Sequence, residues 1–153
     1  ELARRTRSRA QAEADAQLLA AADSGDLNAA MEARAAGATL TGAKTEGTST
    51  ALQVAAFEGH TEMVAYLLKE GADSNINTGR DEDGCTALHL AALNCHTEVI
   101  HTLLKWGAIH DQRDAQGKTA LYWAEAYVGP RLCGSPQTVA AHAQALLMLK
   151  WGA

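Results

Sequence analysis

Five residues between positions 85 and 101 are of types that ligate zinc: Cys85, His89, Cys95, His96 and His101. A zinc site needs its thiolates and imidazoles to converge within ~2.3 Å of one point. If the ten residues after Cys85 form a helix, Cys85 and Cys95 stand at its opposite ends, roughly 15 Å apart at 1.5 Å per residue. The set spreads instead of converging, and no metal or other cofactor is expected. Cys133 and His142 are the types of a thiol nucleophile and its base, but a lone cysteine in a Gly/Pro loop carries no geometry. The sequence has no metalloprotease histidine pair, phosphate-binding glycine loop or Gly-x-Ser-x-Gly elbow. Catalysis within this chain is therefore not expected. Two charged stretches remain. Asp81-Glu82-Asp83-Gly84 sets three carboxylates side by side, and Arg4, Arg5, Arg7 and Arg9 open the chain.

The elements that position these groups follow from a recurring phrase. Thr-Ala-Leu with an alanine one turn later stands at Thr50 to Ala56, Thr86 to Ala92 and Thr119 to Ala124, the threonines 36 and 33 residues apart. A period of this size implies a solenoid of small helical units, none of which buries its apolar face alone. Each threonine is a helix N-cap, and the alanines admit close helix approach. Gly59 stands where the chain reverses, and Cys95 takes the same position in the next copy, so a non-glycine residue is expected to hold positive φ there. Met63, Val64, Leu67 and Leu68 form one apolar stripe, repeated at Val99, Ile100, Leu103 and Leu104. Gly71 and Gly107 end the second helices.

The segments Thr50-Ala51-Leu52-Gln53-Val54-Ala55-Ala56, Gly59-His60 and Leu67-Leu68-Lys69-Glu70-Gly71-Ala72, with their counterparts through Thr86-Ala87-Leu88-His89 and Leu103-Leu104-Lys105-Trp106-Gly107-Ala108, resemble the ankyrin repeat. That family carries a Thr-Pro-Leu-His-x-Ala signature, a Gly-His inter-helix turn and a Leu-Leu-x-x-Gly-Ala ending. The resemblance implies an all-α stack of helix-turn-helix units with hairpin loops along one edge. It also implies that His89 bonds to neighbouring backbone and that His96, like His60, is a turn histidine.

Four repeats are expected, at about 18–40, 41–76, 77–113 and 114–153, behind a basic, alanine-rich helical extension over 1–17. The first repeat is degenerate, with Ala29, Ala30, Glu32 and Arg34 where inner repeats carry large aliphatics, as a polar cap requires. The last carries an insertion near 129–137. Ser135-Pro136 then starts a long final helix to Lys150, with Val139, Ala143, Leu146 and Leu147 facing inward.

Net charge is −5, with +3 on residues 1–9 and −8 on the rest, a balance that repels nucleic acid and favours basic partners. The three cysteines have no disulfide framework spacing, which places the chain inside the cell, in the cytoplasm or the nucleus. No apolar run approaches the ~20 residues of a membrane span, and a monomer is expected.

In the resembled family the partner lies in a groove formed by the hairpin tips and the ends of the first helices. Carried onto this sequence, those positions are Asp23, Ser24, Phe57, Glu58, Leu93, Asn94, Ala126 and Tyr127, with Asp81, Glu82 and Asp83 at a tip lengthened by three residues. The expectation is a non-catalytic adaptor or scaffold that binds a protein or peptide. Its alternative is the regulatory or substrate-recruiting domain of a larger enzyme or channel.

Overall fold

A computed structural model describes residues 1–40, 49–72, 76–80, 82–127 and 147–151, apart from the side chains of Arg7 and Tyr127. The described helices are α1 (Leu2–Ser24), α2 (Leu27–Ala35), α3 (Ala51–Glu58), α4 (Thr61–Lys69), α5 (Ala87–Leu93), α6 (Thr97–Lys105) and α7 (Ala120–Tyr127), followed by a helical segment at 147–151. They pair as α1 with α2, α3 with α4 and α5 with α6. The first helices then form one row, α1 on α3, α3 on α5 and α5 on α7, and the second helices form another, α2 on α4 and α4 on α6. The fold is all-α.

The first helices start where a threonine supplies an acceptor. Thr50 Oγ1 accepts from Gln53 N–H and Thr86 Oγ1 from His89 N–H, each closed into a capping box by the N3 side chain. Thr119 Oγ1 accepts from Tyr122 N–H at 3.3 Å. Each such cap is worth about 1 kcal/mol. Between the two rows lies the core, built of alanines and of the stripe Met63, Val64, Leu67, Leu68, Val99, Ile100 and Leu103, all at most 1% exposed.

Two expectations about that stripe are corrected. Leu104 is only partly buried, whereas Leu68 at the same register is buried. Leu147 is 59% exposed, and the residue that enters the core from the last segment is Leu149. Val139, Ala143 and Leu146, the start of the final helix at Pro136, and the 129–137 insertion lie outside the described residues.

At the amino end, α1 runs unbroken from the basic residues into the first repeat. Residues 1–10 are exposed where described, and burial begins at Ala14 and Leu18. Asp15 accepts from Thr39 N–H at 2.7 Å and Gln11 donates to the Gly37 carbonyl, so α1 is tied to the loop after α2 from Gln11 onward.

A candidate protein-binding groove

The groove forms because the first helices present the same register positions side by side. Val54, Leu90 and Trp123 each sit four residues past an N-cap threonine, and Phe57, Leu93 and Ala126 follow one turn later on the same face. One lobe, of 390 Å³, is lined by Leu19, Val54, Phe57 and Leu90, with Asp23 and Glu58 at the helix ends. A second, of 220 Å³, is lined by Leu90, Leu93 and Trp123 with Cys85, Asp114 and Gln116. Arg80 borders both.

The hairpin side of the groove is held by an ion pair. Arg80 Nε donates to Asp83 Oδ1 at 3.0 Å, a second guanidinium nitrogen reaches Oδ2, and a third lies 3.5 Å from Ser49 Oγ. Asp83 also accepts from Cys85 N–H. The Arg80 bond, with help from that N–H, holds the Asp83 carboxyl below its ordinary range despite partial burial. Of the acidic tip, Asp83 is thus committed to the loop's own closure, Glu82 is exposed, and Asp81 lies outside the described residues.

The other expected contact residues fall on one edge. Phe57 is 39% exposed, Glu58, Asn94 and Ala126 are exposed, and Leu93 is half-buried. Tyr127 closes α7, and its side chain lies outside the described residues. Asn94 has a structural task as well: its amide donates to the Phe57 carbonyl at 2.8 Å.

The histidines and cysteines do framework work. His60 Nε2 donates to the Asp23 carbonyl at 2.8 Å, and His96 Nε2 to the Phe57 carbonyl at 2.9 Å, so each turn histidine bolts its repeat to the one before. The turn glycines make room for these rings. A Cβ on Gly25 would sit 2.7 Å from His60, and one on Gly59 would sit 2.6 Å from His96. Cys95, at φ 54, is the non-glycine residue with positive φ among those described.

His89 is 2% exposed. Its Nδ1 accepts from Thr86 N–H at 3.1 Å, which puts the proton on Nε2, and Nε2 donates to the Lys118 carbonyl at 3.0 Å. Burial pushes its pKa down, against the pull of the Lys118 carbonyl and of Asp114. Burial, then the Asp83 and Asp114 carboxylates, push the Cys85 thiol up to about 12, and burial also raises Cys95. Both stay protonated near neutral pH, the wrong form for a nucleophile. No group of three or more possible ligands gathers around a common point among the described residues. Cys133 and His142 lie outside them.

The family model described as ankyrin repeats (3 copies) matches residues 18–114 and 77–130. The chain belongs to the ankyrin repeat family. Ankyrin repeats are a non-catalytic domain family and typically serve as protein–protein interaction modules. No curated protein matches the chain. No described helix of this ankyrin domain is long and apolar enough to cross a membrane.

Sequence reasoning missed Arg80, Asp114 and the groove floor at Val54, Leu90 and Trp123. The floor had a readable signal, since those residues precede Phe57, Leu93 and Ala126 by one turn at the same register. Arg80 and Asp114 had none, because their partners are set by how the loops fold.

Proposed function

We propose that this ankyrin domain acts as an adaptor that binds a basic protein or peptide along the groove. Phe57, Leu93 and Tyr127 serve as anchors, Glu58, Asn94 and Ala126 form the rim, and the Asp81 to Asp83 tip stands over one side. The observation that supports this reading is the apolar floor of Val54, Leu90 and Trp123, continuous across three repeats and flanked by the carboxylates of Asp23 and Glu58. The −8 charge of the chain beyond residue 9 adds attraction for a basic partner. Because Asp83 is already paired with Arg80, Glu82 is the described tip residue left to steer association.

The test is an affinity pull-down with mass spectrometry, followed by surface plasmon resonance on the captured partner. Phe57→Ala should weaken binding by about 2 kcal/mol while leaving the melt unchanged. Glu82→Gln should slow association and flatten its salt dependence with little effect on dissociation. Unchanged affinity in both variants would move the binding surface away from the groove.

A further inference from the structure

The smaller lobe of the groove carries a charge that its own walls do not neutralise. Asp114 is 8% exposed. Its Oδ1 accepts from the backbone N–H groups of Gln116 and Lys118, both at 2.9 Å, and its Oδ2 accepts from the Trp123 indole at 2.8 Å, with the Cys85 sulfur at 3.9 Å. Every one of these donors is neutral. Although burial opposes it, the bonds from Lys118, Trp123 and Gln116 keep the carboxyl below its ordinary range, so it is ionised at neutral pH. The nearby cations are engaged elsewhere: Arg80 is bound to Asp83, and the Lys118 ammonium lies 3.5 Å from the centre of the Tyr122 ring. Arg80 and Asp83 cancel, and one negative charge remains at the pocket wall.

We propose that this 220 Å³ pocket seats an arginine side chain of the partner, its guanidinium between the Asp114 carboxylate and the Trp123 ring and its methylenes against Leu90 and Leu93. This deepens the groove reading and rests on it for the source of the side chain. An anionic occupant would meet Asp83 and Asp114 together, and a purely apolar one would bury Asp114 without a counter-charge, which is costly. Between the two basic side chains, the planar guanidinium is the more weakly hydrated and stacks on aromatic rings, whereas an ammonium gives up more hydration on entering a half-apolar pocket.

The experiment uses ¹⁵N-labelled protein titrated separately with N-acetylarginine amide, N-acetyllysine amide and the uncharged isostere N-acetylcitrulline amide. The readout is the Trp123 indole N–H cross-peak, identified by its loss in Trp123→Phe. Arginine amide should shift that peak saturably, with lysine and citrulline amides binding at least about tenfold more weakly. Leu93→Phe, which narrows the pocket with an apolar residue and leaves Asp114 untouched, should abolish the shift while circular dichroism shows an intact fold. Equal shifts with citrulline or lysine amide, no shift at Trp123, or an undiminished shift in Leu93→Phe would each overturn the assignment. Failure of the groove reading has a different signature. Arginine amide would still shift Trp123, and Phe57→Ala would bind the captured partner as tightly as wild type.

Discussion

The second and third repeats repeat one phrase, and three pairs of matched positions compare what each repeat does with it. Gln53 and His89 do one job with two chemistries. Gln53 Oε1 accepts from Thr50 N–H at 2.9 Å while its Nε2 donates to the Thr78 carbonyl at 2.8 Å, and His89 splits the same tasks between Nδ1 and Nε2. Gly59 and Cys95 occupy the same turn, both at positive φ, and the Gly59 position lies against the His96 ring. Leu68 and Leu104 end the same stripe, the first buried and the second only partly so. A matched position can keep its bonds while its side chain changes, as at Gln53 and His89, or keep its side chain while its burial changes, as at Leu68 and Leu104.

The largest effect should come from the leucines. Leu68→Ala should cost about 2 to 5 kcal/mol, as expected of a buried leucine, and Leu104→Ala less than half of that. Midpoints of urea melts give both values, and equal losses would remove the packing distinction between the two repeats. The turn position comes next. Gly59→Ala places a Cβ against the His96 ring at positive φ and should cost at least about 1 to 2 kcal/mol, while Cys95→Gly relieves a strained backbone and should raise the melting temperature. A stabilised Gly59→Ala would show that the ring moves aside freely.

The Gln53/His89 pair separates by pH. Burial depresses the His89 pKa in the fold, so as pH falls below the ordinary histidine value of about 6.5 the unfolded chain takes up a proton that the folded one resists. Wild-type stability should therefore decline in that acid range, and His89→Gln should lose this component because glutamine makes both bonds without titrating. Denaturant melts between neutral and mildly acidic pH provide the comparison, and identical pH slopes would show that His89 titrates alike in both states. The smallest effect lies outside the matched repeats. Deleting residues 1–9 removes exposed helix with solvent-facing pairs such as Arg5 with Glu1 and Arg9 with Glu13, and should shift stability by no more than about 0.5 kcal/mol in thermal melts.

Local chemistry made much of the fold legible before any coordinates. The caps at Thr50, Thr86 and Thr119 close over three residues, and the positive φ of Cys95 follows from its alignment with Gly59, so both could be read directly. Leu104 and Leu147 could not, since a stripe fixes which face a residue occupies and not whether a neighbouring helix covers it. The edge carrying Phe57, Glu58 and Leu93 was readable through the family register. The pocket at Asp114 was not, because it joins a loop carboxylate to an indole nine residues on and a thiol twenty-nine residues back.

The turn histidines also give the stack a direction. Both rings reach backward, from one repeat to a carbonyl of the repeat before it, like couplings that all face one way along a train. Both couplings lie within the first three repeats, and they bind α1 to α4 and α3 to α6 through backbone that side-chain substitutions leave in place. Solenoid repeats lose structure by separating at their weakest junction. Among the described helices, the amides of α3 and α4, coupled on both sides, should therefore be among the slowest to exchange.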